Sequence, residues 1–368
     1  MNRQTIARAV RFHQRHSEAA PLVLPNVWDV ASARIVEQAG AEAIATSSAA
    51  MAWALGYPDG EQMPVDALLD ACRRISQAIT VPFTVDIERG YGKTASDTGG
   101  LVGALIELGA IGINIEDGVI PGTNTLAHPD VLSERIACAR AVAKHHGVPL
   151  FINARIDTYC VSGTDAKARL EETRARALAY VEAGADGIFV PGLANLDDIA
   201  DLAQSIPVPL NIYAGYPGAP SVAELQRAGA RRISLGCGPM QAVMAHLAII
   251  AKEALNDGRY DTMGGRMLTV AEANGLFTPA QVPEPSALQQ RSLAIMGDGP
   301  VALLVGRPRQ VPARQDQRRG HVELTTRNGT QQTSQDRATL GTENRHAVRR
   351  LLSQLAAPLF GSFHRATR

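Results

Sequence analysis

The chain has 368 residues, 45% of them hydrophobic, with 36 basic against 36 acidic side chains and zero formal charge. That length suits one large domain or two ordinary ones, with a sizeable core. No stretch reaches the roughly 18 apolar residues of a membrane span, and the start, Met1-Asn-Arg-Gln-Thr-Ile-Ala-Arg-Ala-Val10, lacks the apolar segment of a signal peptide.

Residues 2–17 predict an amphipathic helix, with Ile6, Val10 and Phe12 among polar positions. One pattern then repeats: a short apolar run, a polar or Gly/Pro break, and a helical stretch. The apolar runs are Leu22–Trp28, Ala43–Ser47, Pro82–Asp86, Gly112–Glu116, Leu150–Arg155, Gly187–Val190, Pro209–Tyr213 and Arg232–Leu235. The helices between them end near Gly40, Gly109, Gly184 and Gly229, where a glycine stops the helix before the next strand. Eight strands alternating with helices is the arithmetic of a closed (β/α)8 barrel. An open doubly wound sheet also alternates, but no Gly-rich dinucleotide turn follows the first strand.

Residues 239–256 read as the helix after strand eight, and 260–277 as a further short helical piece. The barrel is expected over 1–278. The remainder, 279–368, is an Arg/Gln-rich, low-complexity tail expected to be disordered, with a short amphipathic helix at 349–359. Residues 301–368 hold twelve arginines, no lysine and four acids. The chain has only four lysines in all, so Arg richness is a general habit, and nucleic-acid binding through the tail is not expected. Cys72, Cys138, Cys160 and Cys237 have no metal-ligand spacing and read as reduced thiols of a soluble, cytoplasmic protein.

In such a barrel the chemistry lies at the C-terminal ends of strands. Asp86 and Glu88 follow strand three, and Glu116 ends strand four. Three converging carboxylates repel one another unless a cation sits among them, and hard oxygen ligands suit Mg²⁺, with Mn²⁺ as a substitute. Arg155, at the end of strand five, is the anion clamp, because its planar fork suits a carboxylate or phosphonate. An internal ion pair of Arg155 with Asp157 or Glu116 is the plainer alternative. Ser47 and Ser48 are either substrate-carboxylate donors or ordinary cap residues. Gly92 and Asn211 stand at the ends of strands three and seven, as further substrate contacts.

Five motifs, in order, resemble the phosphoenolpyruvate mutase/isocitrate lyase superfamily. They are Pro25-Asn-Val-Trp-Asp29, Leu55-Gly-Tyr-Pro-Asp59, Val85-Asp-Ile-Glu-Arg-Gly-Tyr-Gly92, Ile115-Glu-Asp117 and Asn153-Ala-Arg-Ile-Asp157. The resemblance spans roughly residues 5–277. It implies a barrel whose last helix is swapped between paired subunits, a homo-oligomer built as a dimer of dimers, and Mg²⁺ chemistry on small 2-oxo or 2-hydroxy acids or phosphonates. By motif, Asp59 borders the metal site, Asp86 is its principal acid, Glu88 stands where the family usually has Asp, and Glu116 is the third acid. Arg155 matches the anion-binding arginine and Ser47 the carboxylate-binding turn.

The segment after Glu116-Asp117 has no cysteine, unlike isocitrate lyase-like members. It is closer to the phosphonate branch: Thr123 and Asn124 match, while Gly118 and Gly122 replace two lysines. Pro191 stands where mutase-like enzymes place a His. The residues therefore point to a Mg²⁺-dependent lyase cleaving a C–C bond, with Asp59, Arg155 and Asn124 as catalytic groups. The alternatives are a C–P enzyme of the phosphonopyruvate hydrolase or mutase type, a Schiff-base aldolase lacking an obvious barrel lysine, and a non-catalytic barrel.

Overall fold

The computed structural model describes residues 3–120 and 122–277. In chain order the elements are α1 (Arg3–Arg15), β1 (Leu22–Leu24), α2 (Val30–Gln38), β2 (Ile44–Ala45), α3 (Ser48–Ala54), α4 (Val65–Ala78), β3 (Phe83–Asp86), α5 (Ala95–Glu107) and β4 (Gly112–Glu116). There follow α6 (Pro129–His145), β5 (Phe151–Arg155), α7 (Ala166–Glu182), β6 (Gly187–Val190), α8 (Leu196–Ser205), β7 (Leu210–Tyr213), α9 (Val222–Arg227) and β8 (Arg232–Ser234). Last come α10 (Gly238–Lys252), a π-helical turn (Glu253–Asp257), α11 (Asp261–Gly264) and α12 (Val270–Gly275).

The eight strands pair in parallel in the order β1-β8-β7-β6-β5-β4-β3-β2. The remaining seam is closed just beyond β1 and β2. Val27 bridges Thr46 in parallel, its N–H donating to Ala45 O at 2.9 Å while Ser47 N–H donates to Val27 O at 3.1 Å. The expected (β/α)8 barrel is therefore the fold. All eight apolar runs contain a strand, and β4 and β6 match their expected limits residue for residue.

Local chemistry sets the element ends. Asp29 and Ser32, Thr94 and Asp97, and Ser221 and Glu224 form reciprocal capping boxes at helix starts. Gly40, Gly109, Gly184 and Gly229 take φ between 94° and 111° just after helix ends, a conformation that favours glycine. Two helices, α3 and α4, occupy the β2–β3 connection. The first is an Ala-rich run in which Ser48 through Ala52 are all buried, so it carries no amphipathic period to announce it.

The N-terminal floor of the barrel is plugged by α1. Phe12 meets Phe151 edge-on at 5.4 Å, and His16 stacks on the same ring at 4.1 Å. Above them Arg232 lies 1% exposed in the lumen and donates Nη2 to Asn114 Oδ1 at 3.1 Å; that oxygen also accepts from Asn153 Nδ2 at 2.9 Å. Access is thereby left to the opposite rim. On the outside, Gly99 brings α5 so near α6 that a Cβ there would lie 2.7 Å from Cys138 Sγ.

Helix α10 begins within one residue of its expected start and has no buried residue; Val243, Leu247 and Ile249 are 52%, 62% and 55% exposed. Among the described residues no helix is long and apolar enough to cross a membrane. The expected tail and its helix at 349–359 lie outside the described residues.

Where β7 and β8 end, the backbones close tightly: a Cβ on Gly215 would lie 1.8 Å from Leu235 O. Backbone cannot yield as a flexible side chain can, so Gly215→Ala is expected to cost about 2–3 kcal/mol. Chemical denaturation measures it; an unchanged midpoint and slope would show that the strand ends tolerate the shift.

Candidate active site

Asp86 ends β3 on the open rim. Its N–H donates to Thr46 Oγ1 at 2.9 Å, and its carboxylate accepts from the N–H groups of Ser48 and Glu88, each at a long 3.3 Å. Asp59, on the turn after α3, lies with its carboxyl close enough to Asp86 and Ser48 to feel both. Burial first, and then the Asp86 charge, raises its carboxyl above the ordinary value.

Glu88, Glu61 and Tyr91 form a second knot. They are the three non-glycine residues with positive φ among those described, at 49°, 60° and 53°. All three are wired together. Glu61 N–H donates to Glu88 Oε2 at 2.6 Å, Tyr91 OH to Glu88 Oε1 at 2.8 Å, and Tyr91 N–H to Glu61 Oε1 at 2.7 Å. Strained backbone of this kind persists only where surrounding bonds over-determine it. Burial pushes the Glu88 carboxyl up to about 7; the Tyr91 bond opposes this, and Asp59 and Asp86 add to it. Burial and the neighbouring Glu88 also raise the Tyr91 phenol.

Glu116 and Arg155 pair in register on β4 and β5. Arg155 grips Asp157 with two bonds, Nε to Oδ1 at 2.6 Å and Nη2 to Oδ2 at 3.1 Å. Its Nη1 lies 2.7 Å from Glu116 Oε2, a close ion pair without the alignment of a hydrogen bond. Burial raises the Glu116 carboxyl well above its usual range against the pull of Arg155, and Asp157, Asp86 and Glu88 reinforce the rise. Burial disfavours the Arg155 charge, but Asp157, Glu116 and Asp86 outweigh it and raise the guanidinium. The plainer reading of Arg155, an internal ion pair, is what the structure holds: Asp157 and Glu116 flank its guanidinium.

Other expected residues stand apart. Ser47 caps α3, accepting weakly from Ala50 N–H at 3.4 Å, and only Ser48 reaches Asp86. Asn211 is 0% exposed and its amide is spent on Ser234 Oγ at 3.1 Å, which corrects its assignment as a substrate contact: it packs the lumen. Asn124 lies exposed on a hairpin whose arms bridge at Val119 and Leu126. Its amide is latched in both directions to the Ser162 backbone, at 2.9 and 3.1 Å, not turned to the carboxylates. Gly92 offers its carbonyl to Arg135 Nη2 at 2.7 Å.

The expected metal site of Asp86, Glu88 and Glu116 would have to rest partly on waters. Among the described residues no three His, Cys, Asp or Glu side chains converge closely enough to hold a metal directly. The extra methylene of Glu88, compared with Asp, carries its oxygens to Tyr91 and Glu61, and Glu116 is drawn to Arg155. What remains is a hard-oxygen rim around Asp86, whose charge adds to burial in raising the Asp59, Glu88 and Glu116 carboxyls. That is the chemistry of a hydrated cation held through waters. Glu61 was not singled out from sequence; the only signal was its place two residues after the Pro58-Asp59 turn, opposite the strand-three motif.

Residues 12–255 match the family model described as phosphoenolpyruvate phosphomutase. The chain belongs to that family. It is 34% identical over 248 residues to the uncharacterized protein Rv1998c of Mycobacterium tuberculosis (strain ATCC 25618 / H37Rv), covering 67% of this chain and 89% of that one. It is 34% identical over 212 residues to the oxaloacetate decarboxylase of Bradyrhizobium sp. (strain BTAi1), covering 56% of this chain and 70% of the relative. A solved structure from Burkholderia cenocepacia J2315, described as a candidate phosphonomutase, is 40% identical with a TM-score of 0.65, over 68% of this chain and 99% of that one. This phosphomutase-family chain is an enzyme of the phosphoenolpyruvate mutase/isocitrate lyase superfamily, whose members are lyases and mutases acting at C–C or C–P bonds.

Glu88 binds its proton more tightly in the fold, at about 7, than at its ordinary 4.5, so its protonated form favours the folded state. That contribution is complete below pH 4.5 and drains away as pH rises toward 7. In metal-free protein the unfolding midpoint of Glu88→Gln is therefore expected to fall less than that of the parent across this window. Parallel curves would remove Glu88 as the titrating group.

Proposed function

We propose that the enzyme is a Mg²⁺-dependent lyase that cleaves a C–C bond of a small 2-oxo or 2-hydroxy carboxylic acid, in the manner of an oxaloacetate decarboxylase or a substituted-malate lyase. The observation that carries this reading is the rim itself: Asp86 stands among Asp59, Glu88 and Glu116, whose carboxyls burial and the Asp86 charge raise, with Arg155 alongside. Asp86 would hold Mg²⁺, or Mn²⁺, and Asp59, Glu116 and Glu88 would act on its waters. Such a cation, when bound, would supply Lewis-acid chemistry for a 2-oxo substrate.

The chain's own groups do the rest. Ser48 N–H and Thr46 Oγ1 fix Asp86 in place. Arg155, steadied by Asp157, would orient the substrate's anionic end through Nη1 only where that nitrogen gives up its ion pair with Glu116. Asn124 reaches substrate only if the hairpin releases both bonds to Ser162. The cysteine of isocitrate lyase-like loops has no counterpart here, and the two loop lysines of the phosphonate branch are Gly118 and Gly122. The missing lysines favour carbon–carbon over carbon–phosphorus cleavage, and the missing cysteine disfavours an isocitrate-type substrate. The kinship to an oxaloacetate decarboxylase points the same way.

The exposed apolar face of α10 supports a homo-oligomer in which this helix packs on a second copy, as a swapped helix in a dimer of dimers would. Four unpaired cysteines among the described residues are consistent with a cytoplasmic protein.

A screen of oxaloacetate, substituted malates and phosphonopyruvate, each with and without Mg²⁺, tests the reaction. Metal-dependent cleavage of a carbon–carbon bond is expected, and release of phosphate from phosphonopyruvate alone would replace this reading with the C–P one. Loss of the anchor in Asp86→Ala removes several kcal/mol of charge stabilisation, about a thousandfold in rate. Full turnover in excess chelator would contradict the metal role. Arg155→Lys is expected to raise KM about tenfold, because a point charge cannot replace the fork; unchanged kinetics would remove Arg155 from the site.

A further inference from the structure

The closed end of the barrel carries a cleft of about 470 Å³, where the loops entering β7 and β8 meet the end of α1. Its lining holds two arginines, Arg227 and Arg231, and no acidic side chain. Arg227 stands exposed in the last turn of α9, and Arg231 is half-buried at the entry to β8. Among the described residues neither guanidinium has an ion pair or a hydrogen bond.

The acids of the neighbouring elements are committed elsewhere. Glu224, one turn before Arg227, feels its charge, but its carboxylate accepts from the Ser221 N–H at 2.8 Å and hydroxyl at 2.7 Å. Glu18 and Glu42 pair with Arg15, at 3.4 and 2.8 Å. Asp201 on α8 is held by Arg174. His16, which also lines the cleft, is kept neutral by burial and by the charge of Arg232. Arg232 is itself buried in the lumen, with Nε and Nη1 unpartnered. This end of the barrel therefore carries positive charge that no carboxylate of the described chain answers, and an anion would offset its cost.

The walls are fixed before any ligand arrives. Arg231 N–H donates to Leu210 O and its carbonyl accepts from Leu22 N–H, each at 2.9 Å, so its side chain springs from backbone locked to β7 and β1. Gln226 Nε2 donates to Ala19 O at 3.0 Å and ties α9 to the segment after α1. Gly229 lets the end of α9 close on α8, since a Cβ there would lie 2.8 Å from Ala203 Cβ. Segment 206–209 adds an apolar wall in which two prolines fix φ. Walls set in this way reduce the ordering cost of binding.

We propose that this cleft binds an organic phosphate monoester, with Arg227 and Arg231 taking its dianionic head and segment 206–209 receiving its carbon body. Two planar forks without a competing acid suit a tetrahedral dianion, which offers paired oxygens to both. A single carboxylate would leave one arginine unmatched. The cleft has room for more than a phosphate head, and its apolar wall suits what is esterified to it. It lies at the end of the barrel away from the carboxylate rim, so its ligand and the rim's substrate occupy separate places.

Titration calorimetry on the metal-free full-length chain, at fixed ionic strength, compares phenyl phosphate, inorganic phosphate and phenol. Phenyl phosphate is expected to saturate one site per chain about tenfold more tightly than inorganic phosphate, and phenol to show no saturable binding. Arg227→Gln and Arg231→Gln should each weaken phenyl phosphate about tenfold, whereas Arg155→Gln should leave it unchanged. Phenylglyoxal labelling read by mass spectrometry needs no variant: phenyl phosphate should slow modification of Arg227 and Arg231 but not of Arg73 and Arg74. Absent saturable binding, equal affinity for phenol, full affinity in both cleft variants, or no protection of Arg227 and Arg231 would each overturn the assignment. Loss of binding in Arg155→Gln with Arg231→Gln intact would overturn it too, by placing the phosphate at the rim. Phenyl phosphate no tighter than inorganic phosphate would overturn the ester. Failure of the rim to cleave any acid would sink the lyase reading and leave the cleft assignment standing.

Discussion

Carboxylates crowded at one end of a closed barrel are the constraint on which this molecule turns. Burial, with the Asp86 charge beside it, makes ionisation of Asp59, Glu88 and Glu116 harder, and one arginine is directed at the cluster by way of Glu116 and Asp157. A fold tolerates such self-repulsion where the groups are held for another purpose. The backbone records the cost: the three left-handed non-glycine residues described are bonded to one another at this spot.

The rest of the structure serves to hold that rim. Parallel register places Asp86 beside Asn114, and Glu116 beside Arg155. Below, the lumen is stitched by Asn114, Asn153 and Arg232, and sealed by Phe12 and His16 against Phe151. Burial drives His16 down to about 3, so the floor carries a neutral ring, and it lowers Arg232 to about 9. Beside the rim, Arg176 and Tyr180 pin Asp117, and Arg176 also holds Ala127 O at 2.9 Å, fixing the base of the hairpin that carries Asn124.

Much of this was legible in the sequence because it rests on short-range pattern. Gly112-Ile-Asn-Ile-Glu116 alternates and ends in an acid, and it is a strand with those limits. Glycines after the helices mark turns that demand positive φ. Asp86 and Arg155 follow from position at strand ends. What escaped depends on side-chain reach and on contacts between distant segments. Glu88 looks like a ligand in one dimension, yet one methylene more than Asp hands its oxygens to Tyr91 and Glu61. Asn211 is expected at a strand end, but it is the second residue of β7 and bonds Ser234. Asn124 is captured by Ser162, 38 residues away. Gly118 reads as a lost lysine, whereas its lack of a side chain is what admits the stem of Arg89.

The central claim is that one hydrated divalent cation belongs beside Asp86. Anomalous diffraction at the manganese edge, from crystals grown with Mn²⁺, tests it most directly. The account predicts a single strong peak within bonding distance of the Asp86 carboxylate, joined through ordered waters to Asp59 and Glu116. A rim without such a peak at saturating Mn²⁺, or a cation seated away from Asp86, would contradict it.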